Sequence, residues 1–169
     1  MARRAAMIAF LDRSVAAVLA GAKWLALPIV ALLFLQWPLR SLFGVYSREA
    51  NDLGQWLFAL YVAASVTAAT RANTHLAADM VARHYSPAAR EWLERAGVLL
   101  GLIPWSIAVL VTSFGIVVNS AALLERFPDT FNPFYFMMKI ALWILAGLMS
   151  IESVIELCAM RRGRAAGPS

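Results

Sequence analysis

Four apolar stretches, each long enough to cross a bilayer, constrain everything this chain can fold into. They run over residues 15–39, 53–70, 96–120 and 134–160. A hydrocarbon core of about 30 Å, at about 1.5 Å of rise per residue, needs about 20 helical residues. The first and third stretches exceed that length and should tilt, while the second sits close to the lower limit of about 17. Lipid offers a backbone no hydrogen-bonding partner, so segments of this kind must be helices. Hydrophobic residues make up 62% of the chain and the mean hydropathy is +0.69, well outside the range of about 45–50% apolar residues typical of soluble domains. The expected fold is therefore an all-α integral membrane protein with four transmembrane helices. Little chain remains for a separate soluble domain, so residues 1–169 are read as a single membrane unit.

A net charge of +5 raises the question of nucleic acid, but the distribution of the basic residues answers it otherwise. Arg3, Arg4 and Arg13 precede helix 1, Arg71, Arg83, Arg90 and Arg95 lie between helices 2 and 3, and Arg161, Arg162 and Arg164 follow helix 4. The opposite side carries only Arg40, Arg48 and Arg126. Basic residues favour the cytoplasmic side, so both termini and the middle connection are expected there, and nucleic acid is not an expected partner. A cleaved signal peptide, with Ala20-Gly21-Ala22 as its cleavage site, is the rival reading of the N-terminus. Asp12 and Arg13 interrupt its apolar region and hydrophobicity continues past Ala22, which favours a retained span. The single Cys158 supplies neither a disulfide nor a metal set.

Within residues 3–13, Met7, Phe10 and Leu11 share one helical face, as in a short helix resting on the inner leaflet, with a frayed terminus as the other reading. In the first external loop Asn51 or Asp52 is positioned to cap helix 2. In the second, Pro128 and Pro133 should hold the loop compact. Between helices 2 and 3, Arg71, His75, Asp79 and Arg83 recur every four residues, which predicts an amphipathic helix in the interface plane over about 71–85. Ser86-Pro87 then starts a new helix, Ser as N-cap and Pro in the first turn, which runs on into span 3.

No nucleophile–base set, phosphate loop or zinc spacing stands out, and neither histidine lies in a span, which argues against haem. An enzyme is not expected, nor is a cofactor. Charges inside spans are the functional candidates that remain. Lys23 on helix 1 and Glu152 on helix 4 both lie about 12 Å below the inner surface by helical rise. They are expected to approach each other or to meet charges on a partner subunit, with coupling to a transported ion and snorkelling of Lys23 as the alternatives. The alanine-rich run Ala63-Ala64-Ser65…Ala68-Ala69 offers a close-packing face, toward a partner or within the chain. Broken midplane helices, the usual transport core, are not evident.

The spacing Arg71-x3-His75-x3-Asp79 after an alanine-rich span resembles the small membrane subunit of tripartite ATP-independent periplasmic (TRAP) transporters. Asn51-Asp52-Leu53 and Trp56 at the start of helix 2, and Ser86-Pro87…Arg90 ahead of helix 3, extend the resemblance over nearly the whole chain. It implies residence in the bacterial inner membrane and three further things. The assembled transporter would import organic anions, carboxylates or acidic sugars, on a sodium gradient. This chain would be a fixed scaffold beside a large elevator-type membrane subunit, with lipid around it. A soluble periplasmic substrate-binding protein would deliver the substrate. Arg71, His75 and Asp79 would then anchor the cytoplasmic end of helix 2, within the chain or to the large subunit. The external charges Arg48, Glu49, Asp52, Glu125, Arg126 and Asp129 are the candidates for docking the binding protein. An unrelated membrane scaffold and a small multidrug exporter are the competing readings, the latter weakened because the first three spans lack acids.

Overall fold

The computed structural model describes residues 2–44, 47–72 and 85–165. They form helix α1 (Ala2–Ala22), a 3-10 turn (Lys23–Leu25), α2 (Ala26–Phe43), α3 (Arg48–Arg71), α4 (Pro87–Ala96), a π segment (Gly97–Leu102), α5 (Ile103–Ala122) and α6 (Phe136–Ala165). No strand occurs among the described residues. Four continuous rods result: span I over Ala6–Phe43, span II over Arg48–Arg71, span III over Ala88–Ala122 and span IV over Phe136–Cys158. The expected interfacial helix over 71–85 falls mostly on residues outside the described set.

The first three rods are longer than their apolar stretches because helix ends are set by caps rather than by hydropathy. Span II starts at Arg48, where Ser47 in extended conformation accepts from the Ala50 N–H at 3.1 Å. Asn51 and Asp52 lie inside the helix and do not cap it. Ser86 caps α4 through the Ala89 N–H at 3.3 Å, with Pro87 in the first turn where a missing N–H costs nothing. Residues 3–13 do not form a separate interfacial helix; they belong to α1, which runs unbroken into span I.

The two departures from α geometry each precede a proline. Pro28 has no N–H for the carbonyl of Trp24, and the chain tightens into 3-10 geometry over Lys23–Leu25. Pro104 has none for Leu100, and the chain widens into a π segment over Gly97–Leu102.

Span IV is the hub. It packs along α3 on one side and α5 on the other, and α1 fills the angle between α3 and α6. Beyond the 3-10 turn, α2 packs chiefly on α3. Val15, Leu19, Ala64 and Leu148 form the central apolar cluster, with Ala22, Ala68 and Ile151 against it. Small residues let the backbones approach: Ala63, Ala64, Thr67, Ala141 and Ala146 are all buried. The alanine-rich face of helix 2 is thus used, at Ala63 and Ala64, inside the chain. Besides the charged contacts of Arg71, side-chain bonds between uncharged groups cross between rods. The Ser106 and Ser150 hydroxyls lie 2.9 Å apart, the Trp143 indole donates to the Leu110 carbonyl at 3.0 Å, and the Thr70 hydroxyl meets the Met149 sulfur at 3.5 Å. Such bonds contribute about 0.6 kcal/mol each on average in membrane bundles.

Candidate functional site

At the end where span I begins and span IV finishes, three rods are joined by charge. Arg71 sits in the last turn of α3, and helical Cβ vectors tilt toward the N-terminus, so its arm reaches back toward the bundle. One guanidinium nitrogen donates to the Asp12 carboxylate on α1. The other lies 3.5 Å from the Asp12 carbonyl and 3.5 Å from the Glu152 carboxylate on α6. Glu152 is only 6% exposed, and the oxygen facing Arg71 makes no hydrogen bond. Its compensation is the Arg71 charge, without which a carboxylate in this position would be costly.

This geometry differs from the expected pairing of Lys23 with Glu152. Val15, Leu19 and Ala22 mark the face of α1 that packs on the bundle. Lys23 is the next residue, rotated about 100° from that face. It is exposed, and no described carboxylate pairs with it. Equal depth along two helices is not proximity; rotation decided the partner. Asp12 was visible in the sequence only as an interruption of apolar character. The signal that could have found it is that it lies at the same membrane face as Arg71. His75 and Asp79 fall outside the described residues.

At the opposite end the six charges expected to lie outside the membrane separate into two groups. Asp52, 6% exposed, accepts from the Thr130 hydroxyl and from the Asn132 amide at 2.9 Å, tying the second turn of α3 to the loop between spans III and IV. Glu125 accepts from Lys139 and from the Ser120 hydroxyl. Those two hydrogen bonds, the Lys139 one larger, hold its carboxyl below the usual carboxylate value against a smaller opposing effect of desolvation. These two acids are internal ties. Phe127 is buried in the same loop, with its N–H bonded to the Asn132 carbonyl at 2.9 Å and its ring edge-on to Tyr135 at 5.2 Å. Leu124, Phe131 and Phe134 hold positive φ there, so the loop is compact at some cost in backbone strain.

The remaining four face solvent. Glu49 accepts from the Ser47 hydroxyl at 3.0 Å, and Arg48, Arg126 and Asp129 are exposed. Arg48 and Asp129 line a cleft of about 570 Å³ between the start of α3 and the loop, with Asn51, Gln55, Pro128 and Tyr135 among the walls.

The described polar side chains thus serve mainly to lock rods together and to present a mixed-charge surface at one end. With four rods of membrane-crossing length and apolarity, the class is a multi-pass, all-helical membrane protein. A family model described as "Tripartite ATP-independent periplasmic transporters, DctQ component" matches residues 29–163, which is most of the chain. The chain belongs to that family: it is the small permease subunit of a TRAP transporter, a component of the bacterial inner membrane. The family implies partnership with a large membrane subunit and a binding protein. Neither a comparison with curated proteins nor one with solved structures finds a match.

Proposed function

We propose that this chain is the stationary part of a sodium-coupled importer of organic anions, bracing the large elevator-type subunit and carrying no substrate itself. One observation carries the reading: the buried charges Asp52 and Glu152 are each engaged within the chain, in ties between rods or between a rod and a loop. A transport site needs polar groups left open toward a cavity at mid-membrane depth. A scaffold needs its rods held in one arrangement, because a sliding neighbour does work only against a part that does not yield. Both termini are cytoplasmic in this reading, from the basic bias of that side.

The cleft end then faces the periplasm, and Arg48, Glu49, Arg126 and Asp129 form the surface offered to the substrate-binding protein. Asp52 and Glu125, though named with them on sequence grounds, hold that surface in shape. His75 and Asp79 would extend the Arg71 anchor along the same end.

Reconstitution tests both halves. Liposomes holding this chain alone should accumulate no candidate carboxylate or acidic sugar under a sodium gradient, whereas the three-part system should. Uptake by the lone chain would end the scaffold reading. Reversing the charges of Arg48, Glu49, Arg126 and Asp129 together should weaken uptake at limiting binding protein and low salt, where steering between charged surfaces is strongest. Unchanged uptake would end the docking reading and leave the scaffold reading standing.

A further inference from the structure

Lys23 is a charge inside span I that no internal tie among the described residues absorbs. It follows Asp12 by three helical turns, a rise of about 16 Å, or roughly half the thickness of a 30 Å hydrocarbon core. Asp12 and Arg13 are the last charges before the apolar stretch that begins at residue 15, which puts the membrane face near them. Tilt makes the lysine shallower, but the path back to the headgroups remains longer than a four-carbon stem covers in comfort.

Its surroundings on span I are as informative as the charge. Leu27, Val30, Phe34 and Trp37 follow Lys23 at alternating intervals of four and three, the spacing of a helix–helix seam, and all are exposed. Ala20 and Ala16 continue the seam toward the other end, exposed and small enough for a second backbone to come close. Lipid satisfies Leu27, Val30 and Phe34 fully, so apolar exposure alone selects no partner. Lipid does not satisfy an ammonium group at this depth.

We infer that this seam of span I is the face that meets the large membrane subunit, and that a carboxylate on a helix of that subunit lies opposite Lys23. The inference rests on the subunit reading above and adds to it the face used and the chemistry of the contact. Among the described residues Arg71 engages Asp12 and Glu152 and no carboxylate pairs with Lys23, so the anion is sought on the neighbouring subunit.

The test titrates full-length chain against the purified large subunit in proteoliposomes, with fluorescence energy transfer reporting association. Lys23→Met should weaken association by about tenfold or more, the scale of losing one partner of a desolvated pair. Lys23→Arg should restore it, and the thermal midpoint of the lone Lys23→Met chain in detergent should not fall. Association of Lys23→Met equal to the wild type would mean that the lysine reaches the headgroups, and would overturn the inference. A lowered midpoint for the lone variant would make the lysine an internal residue and overturn it as well. Failure of the wild type itself to associate would sink the subunit reading, a result distinct from either.

Discussion

Arg71 shows how much one side chain decides in a small membrane protein. It serves Asp12 and Glu152 at once, so its removal leaves a buried carboxylate with no cation. Arg71→Met is expected to cost about 2–3 kcal/mol, below the range for a fully buried pair because the guanidinium retains some solvent contact. Adding Glu152→Leu should recover much of that loss, since replacing both partners removes the uncompensated charge. Thermal unfolding in detergent checks both; a double variant no more stable than Arg71→Met would mean that Glu152 has another cation. Glu125 carries the pH dependence of the other end. Its folded carboxyl titrates below the ordinary value of 4.5 because Lys139 and Ser120 bond the charged form. A depressed value stabilises the fold above the unfolded pKa and loses that contribution as pH falls through the folded one. The difference in midpoint between wild type and Glu125→Gln should therefore be steady at neutral pH and shrink once pH drops below about 4.5. A difference that persists unchanged in acid would show that the charge is not what matters.

Among the elements, the two irregular turns are where local chemistry overrides the regular helix. Pro104 removes one donor from span III, and the π segment Gly97–Leu102 is the response. Pro104→Ala should let α geometry run through, seen as increased amide protection between residues 97 and 103 by hydrogen exchange. If protection stays as it is, packing of that segment against α6 imposes the π geometry and the proline merely tolerates it. Much of this level was legible in advance. Ser86-Pro87 announced α4, and the two prolines of the loop after span III announced its compactness, because capping and fixed φ are properties of neighbouring residues. The start of span II was misplaced for the same reason in reverse: three residues near it could all cap, and only the extended conformation of Ser47 chose among them.

In the whole molecule span IV carries the arrangement, with spans II and III on opposite flanks. Ala146 on that span is fully enclosed, whereas Leu142 one turn away is 44% exposed. Ala146→Leu should therefore cost about 1–3 kcal/mol by overpacking, while Leu142→Ala should shift the detergent midpoint little. Equal effects would mean that span IV is not the centre. The number of rods, their approximate extents and the family were all readable from the chain, because lipid forces every long apolar segment into a helix whatever its neighbours do. Which charge meets which was not readable. Lys23 and Glu152 have matching depths, yet Glu152 turned to Arg71, and Asp52 turned inward to Thr130 and Asn132. Depth follows from counting residues along one helix. Contact follows from the rotation of each rod, from the kinks at Lys23–Leu25 and Gly97–Leu102, and from the packing of small residues around span IV, and those exist only once the rods are assembled.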